Sequence, residues 1–133
     1  MDISAIKKEK FQAWVPFDKE VEVLINYVPR DELAAIGKAS VVVSLDPTTR
    51  KETRDYDAIS ADVRIAAAAV AGWRDCKTKT KTGFTVDGMP FHCTPENVEL
   101  LVRKWGDFAK FIGQACVDVA GLAARWREQS EKN

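Results

Sequence analysis

With 133 residues, 46% of them apolar and 30% charged, the chain suits one globular domain able to bury roughly two thirds of the surface its unfolded form exposes. Lys+Arg and Asp+Glu cancel at 20 each, so no global field draws the protein to nucleic acid or to an anionic bilayer. Cys76, Cys93 and Cys116 are an odd number without framework spacing, which points to free thiols in a reducing compartment.

The chain opens Met1-Asp2-Ile3-Ser4 and runs into Lys7-Lys8-Glu9-Lys10 without an apolar segment. The longest apolar run, Ile65 to Gly72, is mostly alanine and too short for a bilayer, so a cytoplasmic protein is expected. Residues 1–19 carry Phe11, Trp14, Val15 and Phe17 without a sustained period. They read either as an extended lead-in packed on the domain or as a mobile N-terminal arm whose exposed aromatics dock on a partner. The domain proper is expected over residues 20–129, with residues 130–133 frayed.

Val21, Val23, Ile25 and Tyr27 alternate with Glu20, Glu22, Leu24 and Asn26, the period of a half-buried strand. Pro29-Arg30-Asp31-Glu32 opens a helix whose core face is Leu33, Ile36 and Ala39 or Ser40. Val41-Val42-Val43-Ser44-Leu45 is strand by β-branching and helix end by length, and periodicity does not arbitrate. Asp46-Pro47-Thr48-Thr49 is a turn, and residues 50–57 form a charged connection. From a cap at Asp55, a buried helix carrying Tyr56, Ile59, Val63, Ala66, Ala67 and Val70 is expected to stop at Gly72, just before Trp73.

The repeat Lys77-Thr-Lys-Thr-Lys-Thr82 has the pattern of a solvated edge strand. Phe84 to Phe91 folds back at Asp87-Gly88 into a small hairpin. Thr94 then caps a helix with Pro95 at its first position and Glu96 at its positive end. Behind it Val98, Leu101, Trp105, Phe108, Ile112, Ala115, Val119, Leu122 and Trp126 follow a three-four spacing. Broken at Trp105-Gly106-Asp107, this stripe predicts two helices, about 95–105 and 107–129, holding most of the stability. The fold class expected is α+β: a mostly helical single domain with a small N-terminal strand and a hairpin packed on helices.

No catalytic constellation emerges. His92 is the only histidine, and it stands next to Cys93, whereas zinc ligands usually come in close pairs and adjacent residues of an extended chain point to opposite sides. Cys116 falls within the apolar stripe as a small hydrophobe. No glycine-rich phosphate cradle and no base beside a nucleophile are marked out. We therefore expect a non-enzymatic interaction protein with no catalytic residue, no metal and no cofactor, binding neither nucleic acid nor membrane.

The central stretch supports a more specific expectation. Val21 to Ile36 (VEVLINYVPRDELAAI), Gly72-Trp73-Arg74-Asp75, the turn Val86-Asp87-Gly88-Met89-Pro90-Phe91 and the run Cys93-Thr94-Pro95-Glu96-Asn97-Val98-Glu99-Leu100-Leu101 resemble the tail assembly chaperones of long-tailed bacteriophages. The similarity spans roughly residues 20–125 and is most specific from Trp73 to Leu101. It implies a protein that binds the long helical tape measure protein, keeps it soluble and helps recruit the tail tube protein during virion tail assembly. It further implies residence in the host cytoplasm and absence from the mature virion. Of the residues matching the family pattern, Trp73, Asp87, Gly88, Pro90, Thr94 and Asn97 have structural duties as anchor, turn and cap. Client contact is therefore expected instead at Phe11, Trp14 and Phe17, with a homo-oligomer possible. The alternatives are a generic phage or bacterial protein–protein adaptor and a weak nucleic-acid-binding module.

Overall fold

The structure, a computed structural model, describes residues 1–8 and 10–131. It is an α+β domain in the order α1 (Ser4–Lys8), β1 (Gln12–Pro16), β2 (Val21–Asn26), α2 (Arg30–Ala39), β3 (Val41–Leu45), β4 (Glu52–Tyr56), α3 (Ala58–Ala69), β5 (Val70–Asp75), β6 (Thr85–Val86), β7 (Met89–Pro90), α4 (Pro95–Lys104), α5 (Gly106–Val117) and α6 (Val119–Glu131). None of these helices is long and apolar enough to cross a membrane.

The alternation at residues 21–26 is realised as expected: β2 is the central strand of an antiparallel sheet ordered β1-β2-β5, and Val21, Val23 and Ile25 are buried. Its core face is shared with Ala13 of β1, opposite Ile25, and with Trp73 of β5, opposite Val23. The helices pack on that side, so one face of the sheet is covered and the other is not. On the open face Trp14 lies over Gly72, where a Cβ would stand at ordinary contact distance, 3.8 Å, from the ring, and the Arg74 guanidinium sits 3.8 Å from the indole centroid. The same guanidinium pairs with Glu22.

Residues 1–19 are therefore not an arm. The strand β1 pairs with β2 along its whole length, from Gln12↔Asn26 to Pro16↔Glu22. Its outer edge is closed by α6: the Gln129 side chain accepts from the Trp14 N–H and donates to the Trp14 carbonyl, both at 2.9 Å. The lead-in reading is the one realised, because a two-stranded remnant of the sheet would expose the ladder that Gln129 now satisfies.

Three further expectations are corrected. The charged stretch after the Asp46 turn is the strand β4, paired with β3. Asp57, not Asp55, caps α3, accepting from the Ser60 N–H at 3.0 Å. Tyr56 and Ile59 are accordingly exposed, and Ala61, Ala66 and Ala69 form the buried face of that helix. That helix ends at Ala69 rather than Gly72, and Trp73 belongs to β5, because hydrogen bonds to β2 replace the helical ones from Val70 onward. The register step between Leu24 and Ile25 leaves Ala71 as a bulge at this conversion.

Residues 77–82 are a loop rather than an edge strand. The Asp75 carboxylate accepts from the N–H groups of Lys77 and Thr78 and turns the chain away from the sheet. Those two bonds also hold the Asp75 carboxyl below its usual value. The loop closes at Gly83, at φ 79°, where a Cβ would stand 3.0 Å from the Arg74 backbone and from Val21 Cγ2. Both conformation and space exclude a side chain. G83A should cost about 1–3 kcal/mol in urea unfolding, and a loss below about 0.3 kcal/mol would refute this reading.

The C-terminal stripe breaks twice, giving three helices instead of two. Trp105 ends α4, and Asp118 ends α5 while its carboxylate accepts from the Gly121 N–H at the start of α6. Each break rotates the apolar face, so the buried set is Val98, Val102, Phe108, Ile112, Cys116, Leu122 and Ala123, while Trp105 is 38% exposed. The helix α6 remains regular through Glu131, past the expected start of fraying; residues 132 and 133 lie outside the described residues.

Candidate functional site

The stretch carrying the family resemblance forms one connected joint. The Trp73 Nε1–H donates to the Phe91 carbonyl at 2.8 Å, and the two rings lie parallel with centroids 5.9 Å apart. Phe91 is held there by the β6–β7 hairpin, whose turn residues Asp87 and Gly88 take φ values of 50° and 80°. Paired positive φ angles match the twist of the flanking strands, which is why Asp-Gly stands at this position. Pro90 faces Thr85 at the open end of the hairpin. Three residues beyond Phe91, Thr94 caps α4 through the Asn97 N–H at 3.2 Å, and the Asn97 amide reaches back to the His92 carbonyl at 2.8 Å. Each motif residue thus has an architectural duty: anchor, turn or cap.

Beside the joint, α3 and the start of α4 leave an open groove of about 590 Å³. Its lining is small and apolar, from Val63, Ala66, Ala67, Val70 and Ala71 on one side and Val98 on the other. Glu96 and Glu99 add carboxylates to the α4 side, and Cys93 is half-buried in the lining. Burial raises the Cys93 thiol above its ordinary pKa, so it is a poor nucleophile at neutral pH. The groove is thus a shallow apolar trough with carboxylates along its α4 side.

Phe11, Trp14 and Phe17 do not form an exposed docking surface. Phe11 is 7% exposed, stacked on Tyr27 at 4.7 Å and tilted against Trp126 at 5.9 Å. Phe17 sits edge-on to Phe84, Trp105, Phe108 and Phe111 within an aromatic cluster at the heart of the domain. Trp14 is partly accessible beneath Arg74, and Phe17, though packed in that cluster, also keeps some exposed surface. Aromatics in a polar stretch look like anchors for a partner; here the partner is the chain's own core.

All three cysteines are free thiols, Cys116 buried and Cys76 and Cys93 partly so, and His92 beside Cys93 is exposed. Burial pushes Cys116 up to about 11, and Cys76 is raised by burial and by the carboxylates of Glu22, Asp18 and Asp75. Among the described residues no group of three or more His, Cys, Asp or Glu side chains converges.

A second feature was not anticipated as a site. The β3–β4 ribbon pairs only within itself, and all ten of its residues are exposed. Of the thirteen exposed large apolar residues among those described, six (Val41, Val42, Val43, Leu45, Tyr56 and Ile59) lie on this ribbon or just after it. The signal was present as a β-branched run and a charged run of equal length around Asp46-Pro47, but the charges of the second disguised a strand.

No protein-family model, curated protein or solved structure matches the chain.

Proposed function

We propose that this protein is a tail assembly chaperone of a long-tailed bacteriophage, a non-enzymatic protein of the host cytoplasm. It holds apolar helical segments of the tape measure protein and helps bring tail tube subunits to them. The observation that carries the reading is the pairing of the joint from Trp73 to Asn97 with the open groove beside it. The residues that resemble the family build a rigid corner, and that corner leaves a trough of small side chains where a helix can approach closely. Such a groove buries apolar side chains reversibly, with modest affinity spread over several contacts, which suits a chaperone that must release its client.

Co-expression with the tape measure protein encoded by the same phage tests the proposal. The client should move from the insoluble to the soluble fraction and co-purify with the chaperone. A67W fills the groove from an exposed position and should weaken capture by about tenfold, equivalent to about 1.4 kcal/mol. Its thermal unfolding should stay near that of the unmodified chain. Absence of any solubilising effect would sink the proposal, and full capture by A67W would remove the groove from it. A protein–protein adaptor is the second reading, favoured by the exposed ribbon; it predicts co-purification without improved client solubility.

A further inference from the structure

The β3–β4 ribbon is well closed at both ends and unfinished along its sides. At its tip the Asp46 carboxylate accepts from the N–H groups of Thr48 and Thr49, and the Asp46 N–H donates to the Lys51 carbonyl at 2.9 Å. At its base the Asp57 N–H donates to the Ser40 carbonyl at 2.9 Å, with the Ser40 side chain buried and bonded to the Ile36 carbonyl. A two-stranded ribbon is marginal in water; three or more strands are needed for independent stability. None of the ribbon's side chains belongs to the core cluster.

These two closing bonds set the phase of the ladder. Hydrogen-bonded pairs alternate with non-bonded pairs along an antiparallel ribbon. With Ser40–Asp57 and Asp46–Lys51 bonded, Val42 and Ser44 direct their N–H and C=O groups inward to β4. Val41, Val43 and Leu45 direct theirs outward, to a free edge that carries no charge, proline or bulge. Natural edges usually carry one of these safeguards. The outer edge of β4 does: its outward residues are Glu52, Arg54 and Tyr56.

We propose that the free edge of β3 pairs antiparallel with the same edge of a second copy of this chain, about a two-fold axis at Val43. The pairing sets Val43 opposite Val43 of the second copy and Val41 opposite its Leu45, so every outward N–H and C=O of both β3 strands gains a partner. The result is one sheet in the order β4-β3-β3-β4, with Val41, Val43, Leu45 and Tyr56 of both copies along the same face. Charge selects this edge over the other. A two-fold pairing of β4 strands centred on Arg54 would set two guanidinium groups directly opposite each other, whereas β3 brings only uncharged side chains together. The pairing does not depend on what the groove between α3 and α4 holds.

A single strand pair makes a small interface, so association belongs to the weak class and is to be measured by sedimentation equilibrium from about 1 µM to about 1 mM. The mass should rise with concentration from 14.8 kDa to twice that value. V43K places like charges opposite each other and should weaken the dimer by about tenfold or more. Mixing V43K with V43E should restore a dimer containing one of each, which separates a broken interface from a misfolded ribbon. V42K, on the other face and at a residue bonded within the ribbon, should leave association unchanged. A chain that stays monomeric to about 1 mM overturns the proposal. So does equal weakening by V42K and V43K, or failure of the V43K and V43E mixture to associate.

Discussion

Deleting residues 1–18 should leave a chain without a cooperative unfolding transition, because the deletion removes one strand of a three-stranded sheet and two aromatic pieces of the core. Phe11 alone, buried between Tyr27 and Trp126, is worth about 3–5 kcal/mol as a large-to-small change. Loss of Phe17 opens the cluster it shares with Phe84, Trp105, Phe108 and Phe111. The exposed ladder of β2 adds further cost. Together these exceed the roughly 5–15 kcal/mol that holds a typical domain folded. Near-ultraviolet circular dichroism and a thermal melt of the truncated chain decide it. A cooperative melt close to that of the full chain would show that these residues are a separable arm.

Phe108→Ala should lower the melting temperature by roughly 10–20 °C. Phe108 has no exposed surface, and its ring lies 5.6 Å from Phe17, 6.0 Å from Phe84, 6.1 Å from Trp105 and 6.2 Å from Trp73 between ring centroids. These contacts come from the β1–β2 connection, β5, the loop before β6 and the break between α4 and α5. The ring is thus where the sheet, the small hairpin and the C-terminal helices meet. Truncating it leaves a cavity that no single element can close by shifting, so the penalty should approach the full value for a buried aromatic. Y56A is the control: that ring is 60% exposed and its removal should change stability by about 0.5 kcal/mol or less. A melt of the Phe108 variant within about 3 °C of the unmodified chain would disprove the central role given to this ring.

Both results would bear on the proposed chaperone activity. A client groove made from α3 and α4 keeps its shape only while the joint at Trp73 and Phe91 stays fixed, and Phe108 lies against Trp73. The F108A chain should therefore hold a client poorly for structural reasons. A67W should hold it poorly while remaining folded, and that contrast separates damage to the scaffold from damage to the surface.

Elements whose signals are local are legible in the order of residues alone. Period-two alternation marked β2, Asp87-Gly88 marked the small hairpin, and Thr94-Pro95 marked the start of α4; each reflects a constraint met within a few residues. What the remaining side chains face was settled by contacts between distant elements. Phe11 packs into the core because α6 closes over β1, Phe17 because α5 and Trp105 meet the β1–β2 connection, and the run from Val70 to Asp75 became strand because β2 offers it a ladder. The stripe from Val98 to Trp126 broke a second time at Asp118, where the carboxylate captures the Gly121 N–H. The groove and the free β3 edge were hidden for the same reason. Burial and pairing are set by residues tens of positions away, and a short window of sequence carries no record of which neighbour arrives and which does not.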